Sequence, residues 1–399
     1  MLTPVRSLYR ESRQEADWLR AGCYPDFVTA AAPAVAHDDV PVFVFHSIAP
    51  EEFETQLSFL AENGYTTLTC DAFLRHLTGE APAPSRSVLL TIDDGRASVW
   101  IFALPLLRKY GATAVVFLIP GYVPHAEEPS PTLEDVWAGR CPAGLVLSRD
   151  PELMSWIEIQ AAARGGLIDF QSHTLHHHRV PVGDRIIDYV NPAMRGALFD
   201  IPIESGYEGA LIEHGIEGVF GAPVYENDSL MSGRPRFRGR PDLARNCMDH
   251  VARSGATAFF SSSRWRSELD RVVAKWSARH GARGAIEEPC SIEEAMVDDL
   301  RGARTLIEDR LGGHPVRHLC LPYTIGSPAA VQAAREVGYS TCFWGVLPDR
   351  RTNRPGQDPY YCPRLKADYI LRLPGHGRRS LGAILSDKLK RRLSGRPVY

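Results

Sequence analysis

Asp93 and Asp94 stand side by side where the apolar run over 87–92 gives out and Gly95 opens a turn. Adjacent carboxylates repel and gain little from packing, so their placement calls for a chemical reason. A second group lies in "DFQSHTLHHH", which holds His173, His176, His177 and His178, and a third in "LPYTIG", which holds Tyr323. His46 closes the apolar stretch "VPVFVFHSI". Histidine is the commonest protein ligand for borderline divalent ions. Two histidines four apart, with a carboxylate from another strand, form the facial set that leaves positions open for water and a substrate oxygen. An ion held there would offset the charge of one aspartate, and the other could then take a proton from water that the ion makes acidic.

Each residue also has a plainer reading. An aspartate pair at a strand end can be a turn and a helix cap. His173 alone could be a satisfied core histidine, and His46 could simply hydrogen-bond across a strand end. His178 could take the place of His177, and His176 stands beside the ligands or faces solvent. Tyr323 could be a packed aromatic. Trp156 reads as core, whereas Trp344 either packs beneath the site or stacks on a sugar. "GAPVYENDS" (221–229) suits a lid loop or an ordinary polar loop equally well.

The elements that must carry these residues follow from periodicity. Strands are expected at 40–48, 87–92, 112–120 and 167–173, with a short one at "TTLTC". Helices are expected over 50–65, "DAFLRHL", "ASVWIFALPLLRKYG" and 153–166. Repeated strand–helix units with continuous apolar strands indicate a parallel sheet covered by helices, open or closed into a barrel. The rhythm breaks over 180–290, a region richer in Gly, Pro, Arg and aromatics with helical pieces. It resumes with the helix "SIEEAMVDDLRGARTLIEDRLGG", for which Ser291 and Glu294 suggest a capping box. "VRHLCLPY", "SPAAVQAAREVGY" and "STCFWGV" complete it as strand, helix and strand. The expected organisation is an N-terminal extension at 1–38, a barrel from 39–179 and 291–399, and a mostly helical insertion at 180–290.

The bulk properties narrow the function classes. The chain has 399 residues, 44% of them hydrophobic, with net charge -3 and pI near 6.5, which offers no attraction to nucleic acid or an anionic membrane. The Arg clusters "RPRFRGR" (234–240) and "KLKRRLSGR" are expected to be solvated loop and tail. No run is long and apolar enough for a membrane span. The N-terminus lacks an apolar h-region and a cleavage site, so a cytoplasmic location is expected. The eight cysteines form no CxxC and read as reduced thiols.

"LLTIDDG" followed by a helix, then "SHTLHH", then a strand ending in "LPY", resembles the polysaccharide deacetylase family (NodB homology, carbohydrate esterase family 4). Its signatures are T-F-D-D-G, H-[ST]-x-x-H and R-x-P-Y. The resemblance covers about 40–178 and 291–347. It implies a distorted, incomplete (β/α)7 barrel and metal-dependent hydrolysis of an N- or O-acetyl group. Carried onto this chain, it makes Asp93 the catalytic base and Asp94, His173 and His177 the ligands of one divalent ion. That ion is expected to be zinc, with cobalt, nickel, manganese or iron as the alternatives. Tyr323 would offer its backbone N–H to the oxyanion. "VFVFHSI" resembles the "MYHH"-type strand of the poly-N-acetylglucosamine deacetylase subgroup, in which this histidine is the general acid; His46 takes that role here. "YYCPRLKADYILRLPG" contains no L-x-H and resembles the "lpRI" ending of that subgroup.

Three departures stand out: Ile92 for the usual Phe, a displaced Gly in "PYTIG", and Cys320 where the motif has Arg. Arg364 is the candidate substitute for that Arg, and Arg364 and Trp344 are the residues expected on the substrate side. The expected activity is removal of an acetyl group from an N-acetylated amino sugar, glycoconjugate or sugar-bearing metabolite. Hydrolysis of a non-sugar C–N bond (a cyclic amide or ureide, or a formamide) is the alternative, and an inactive carbohydrate-binding scaffold a lesser one. The expected partner is a small-molecule or glycoconjugate substrate, with no nucleic acid.

Overall fold

The computed structural model describes residues 13–31, 35, 38–147, 153–194 and 215–393. Among these, one compact unit takes 13–175, 299–324 and 334–393, and a second takes 176–298 and 325–333. The division falls inside the 173–178 loop, whose residues follow directly from a strand of the first unit.

The first unit is built on parallel strands: β1 (Val42–Phe45), β2 (Thr66–Thr67), β3 (Ser87–Ile92), β4 (Ala114–Leu118) and β5 (Ile168–Ser172). Beyond β6 (Arg179–Tyr189), β7 (Pro223–Ser229), β8 (Phe237–Gly239) and β9 (Gly284–Ile286) of the second unit come β10 (His318–Cys320), β11 (Thr341–Phe343) and β12 (Leu365–Lys366). Their order is β11-β10-β5-β4-β3-β1-β12, with β2 attached to β3. The two ends of that order are joined by one short stretch. Cys362 bridges Phe343 and exchanges backbone hydrogen bonds with Cys342 and Trp344, while Leu365 and Lys366 pair with Phe43 and Val44 of β1. The sheet thereby closes into the distorted barrel. Every residue of β3 and β4 is buried, as strands covered on both faces must be.

Strand alternation decides what enters the interior. Leu89 packs in the interior with Val115, Phe117 and Phe343, and Thr91 and Asp93 follow it at two-residue steps on the same face. On β5 the same step takes Asp169 through Gln171 to His173. The helix expected over 97–111 begins as a π turn at Val99–Ala103 and continues as Leu104–Tyr110. Pro105 has no N–H to return to the preceding turn, and the wider turn absorbs the loss.

Several expectations are corrected. Ser291 lies inside a helix that already starts at Pro289, so it is no cap. The 13–31 segment is bolted to the barrel: the Arg372 guanidinium donates to the Val28 and Ala30 carbonyls at 2.8 and 2.9 Å. Glu15 pairs with Lys388, which is buried, so "KLKRRLSGR" is not wholly a solvated tail. Residues 394–399 lie outside the described residues.

Among the described residues of the second unit, two antiparallel strand pairs accompany the expected helices. β6 (Arg179–Tyr189) and β7 (Pro223–Ser229) form an antiparallel pair, as do β8 (Phe237–Gly239) and β9 (Gly284–Ile286). "GAPVYENDS" is therefore largely strand rather than a lid loop. Helices Pro241–Arg253 and Trp265–His280 close over a core that includes Phe220, Val224, Leu243, Val251, Leu269 and Trp276. In "RPRFRGR", Arg236 and Arg238 both meet Glu287, and Arg240 pairs with Asp242 and lies 4.8 Å above the Trp276 ring. The acids cancel much of the cluster's charge.

Candidate active site

The C-terminal ends of β1, β3, β5 and β10, with the residue just before β12, bring His46, Asp93, Asp94, His173, Cys320 and Arg364 together. Two neighbours on a strand should point to opposite faces. Asp94 escapes that rule because its backbone is left-handed, with φ 70°, and so both carboxylates face His173. Gly95 follows at φ 74°, and a Cβ there would lie 2.6 Å from Leu118 Cδ2. The D-D-G order thus has a steric cause as well as a chemical one.

The two carboxylates live in different surroundings. Asp93, 2% exposed, accepts from both Arg364 Nη atoms, at 2.7 Å on Oδ1 and 2.8 Å on Oδ2. Arg364 is itself held by Thr91 Oγ1 (3.1 Å) and the Trp344 carbonyl (2.9 Å). The Cys320 thiol donates to Asp93 Oδ2 at 3.5 Å. Burial pushes the Asp93 carboxyl up, but the Arg364 guanidinium, then His173 and His46, outweigh it and hold it well below the usual carboxylate range. Asp94 instead meets Arg96, whose Nε and Nη2 both reach Oδ2, at 3.1 and 2.9 Å. Its Oδ1 lies 3.8 Å from His173 Nε2.

His173 fixes how these groups can act. Its Nδ1 is 2.9 Å from the Cys320 carbonyl, which can only accept, so in the neutral ring Nδ1 carries the proton and Nε2 the lone pair. That nitrogen faces Asp94 Oδ1 at 3.8 Å and Asp93 Oδ2 at 4.0 Å. Carboxylate oxygens and an imidazole nitrogen converging at this spacing suit a cation. Asp94, His173 and His177 each offer one ligand atom within 4.8 Å of the others, and so do Asp93, His173 and Cys320. The first set fits a divalent ion better. A ligating thiol must be deprotonated, whereas burial pushes the Cys320 thiol well above its ordinary value. Asp93 also has both oxygens on Arg364.

His46 Nε2 sits 3.9 Å from Asp93 Oδ2. Burial lowers its pKa, and the two aspartates only partly offset that. Tyr323 follows β10 in a left-handed conformation, φ 56° and ψ 14°, and Thr324 repeats the turn at φ 58°. Two expectations about the substrate side change. The Arg364 guanidinium is buried on Asp93 and offers nothing to a substrate. The Trp344 ring is 8% exposed, stacks on Tyr361 at 5.4 Å and donates Nε1–H to the Tyr360 carbonyl. It supports Arg364 through its carbonyl. Trp156 is buried in the core, as its sequence context suggested. Arg96 was missed in the sequence, although a basic residue two positions after the aspartate was the available signal.

Comparison with known proteins adds an independent line. Residues 80–188 match the family model described as "Polysaccharide deacetylase", a span that contains Asp93, Asp94, His173 and His177. The Bacillus subtilis (strain 168) protein YxkH, provisionally a polysaccharide deacetylase, is 34% identical over 94 residues, covering 22% of this chain and 34% of its own. The poly-β-1,6-N-acetyl-D-glucosamine N-deacetylase of Escherichia coli (strain K12) is 25% identical over 134 residues, covering 34% of this chain and 18% of its own. The chain therefore spans about a third or less of the length of these relatives. Among solved structures, a de-N-acetylase from Aggregatibacter actinomycetemcomitans aligns over 83% of this chain and 96% of its own, at 16% identity and TM-score 0.49.

Proposed function

We propose that this chain, whose residues 80–188 match the polysaccharide deacetylase family model, is a metal-dependent hydrolase that removes the acetyl group from an N-acetylated amino sugar. The observation that carries the reading is the unequal treatment of two adjacent buried carboxylates that both face His173 Nε2. Asp94, His173 and His177 would hold the ion, with zinc the first choice. When bound, such an ion acidifies water and polarises a carbonyl.

The chain's own residues supply the rest. Asp93 stays ionised against Arg364 and takes the proton of the attacking water at Oδ2, the oxygen that faces both histidines. The bidentate Arg364 contact fixes the carboxylate plane, so the acceptor lone pair is aimed before substrate arrives. His46, 3.9 Å from the same oxygen, would take that proton over from Asp93 and pass it to the departing amine nitrogen. The Tyr323 backbone N–H lies in the turn after Cys320 and would donate to the developing oxyanion.

The test is mass spectrometry of a panel of N-acetylated amino sugars and glycoconjugates. Wild type should remove about 42 Da, the mass difference between an acetyl group and hydrogen, while Asp93→Asn and His46→Gln should each lose roughly 10²–10⁴-fold in rate. Wild type that leaves every acetylated sugar intact would sink the proposal. The burial of the Trp344 ring favours a second reading, hydrolysis of a non-sugar C–N bond, because it removes the expected stacking aromatic. Loss of a ureide or formamide substrate from the same panel, with the sugars untouched, would select it.

A further inference from the structure

Two arginines touch the aspartate pair, and they do so differently. Arg364 covers both oxygens of Asp93. Arg96 places two nitrogens on one oxygen of Asp94, Oδ2, and leaves Oδ1 turned to His173. A guanidinium fork normally meets a carboxylate with one donor per oxygen. Both donors converge on a single oxygen here, so the arginine does not occupy the other. The Arg96 backbone is anchored: it bridges Leu153, and Met154 N donates to the Gly95 carbonyl at 2.9 Å. The side chain thus folds back from a fixed point onto a residue whose own backbone is strained, at φ 70°.

We infer that Arg96 is the positioning residue that makes Asp94 the metal-side carboxylate, presenting it through Oδ1 alone, while Arg364 withdraws Asp93 from ligation and keeps it for proton transfer. The identical side chains are told apart by which of their oxygens an arginine occupies. This rests on the reading that the site holds a divalent ion. A hydrogen-bond donor that orients a ligating carboxylate raises affinity by holding the ligand in place, and removing such a partner costs roughly 10–100-fold.

The experiment is titration of the metal-free protein with Co2+, followed by visible absorption, and with Zn2+ by calorimetry. Arg96→Met should weaken both ions about 10–100-fold in a metal-free protein that still melts cooperatively, at a lower temperature because buried Asp94 loses its ion pair, and Arg96→Lys should recover part of both losses. Arg364→Lys should leave Co2+ affinity near that of wild type while kcat falls and KM holds. Arg96→Met that binds Co2+ as tightly as wild type, or tighter, overturns the inference alone. So does Arg364→Lys losing as much affinity as Arg96→Met. Wild type that takes up neither ion overturns both the inference and the metal site beneath it.

Discussion

The barrel carries a carboxylate–histidine–arginine group at each end, and the same strands supply both. β5 gives Asp169 to one end and His173 to the other; β10 gives His318 and Cys320. At the N-terminal end the groups are closed pairs. His318 is satisfied on both sides, by Thr341 Oγ1 at 2.9 Å and Asp71 Oδ1 at 3.2 Å, and Arg317 meets the same half-exposed Asp71 at 2.9 Å. His314 meets Asp169 at 3.0 Å. At the C-terminal end, His173 Nε2 stands 3.8–4.0 Å from two buried carboxylates, too far to share a proton and close enough to share an ion. Residue type does not separate a candidate binding site from a structural cluster here. Burial and spacing do.

Matched arginine truncations should break the comparison most visibly. Arg364→Ala leaves Asp93 buried and unpaired, so it should lose about 3–5 kcal/mol of stability together with activity, read by denaturant melts and rates. Arg317→Ala, whose partner Asp71 is half in water, should cost less than about 1 kcal/mol. Equal losses would show that the two ends are built alike.

A smaller effect is expected from Gly95→Ala. It sets a Cβ against Leu118 at a positive φ, so a cost of about 1–3 kcal/mol should appear in melts, along with weaker metal uptake because Asp94 shifts. No comparable steric demand exists at Gly313, where φ is 86° but nothing lies within 4 Å of the place a Cβ would take.

The smallest effect belongs to the closed pair. Asp169 raises the pKa of His314, while burial opposes it. A raised folded pKa means its stabilisation is fully present below about pH 6.5, the unfolded value, and fades as pH rises through the folded value. His314→Asn should therefore cost under about 1 kcal/mol at pH 6 and still less at pH 9, measured as the difference between the two melts. A cost that grows with pH would contradict the pairing.

Much of the barrel end that carries Asp93 was legible because strands covered on both faces write continuous apolar runs, and the residue after each run is left at the rim. His46, Asp93 and His173 were found that way. The second unit was harder. Its antiparallel strands are short or irregular: β6 carries register shifts, and polar "YENDS" lies within β7, where a chain of Asn, Asp and Ser signals a loop. The capping pattern at Ser291 misleads because Pro289, whose ring suits the first position of a helix, already starts the helix two residues earlier.

Sequence alone determined that two carboxylates and a His-x3-His pair terminate strands of a parallel barrel, since period and order are properties of the chain. Which arginine holds which carboxylate was decided only by tertiary structure. Arg364 is 271 residues from Asp93, and closure of the sheet through 362–366 is what carries its guanidinium into the space beside Cys320. A charge that far along the chain leaves no local pattern; it is placed by the closing of the barrel.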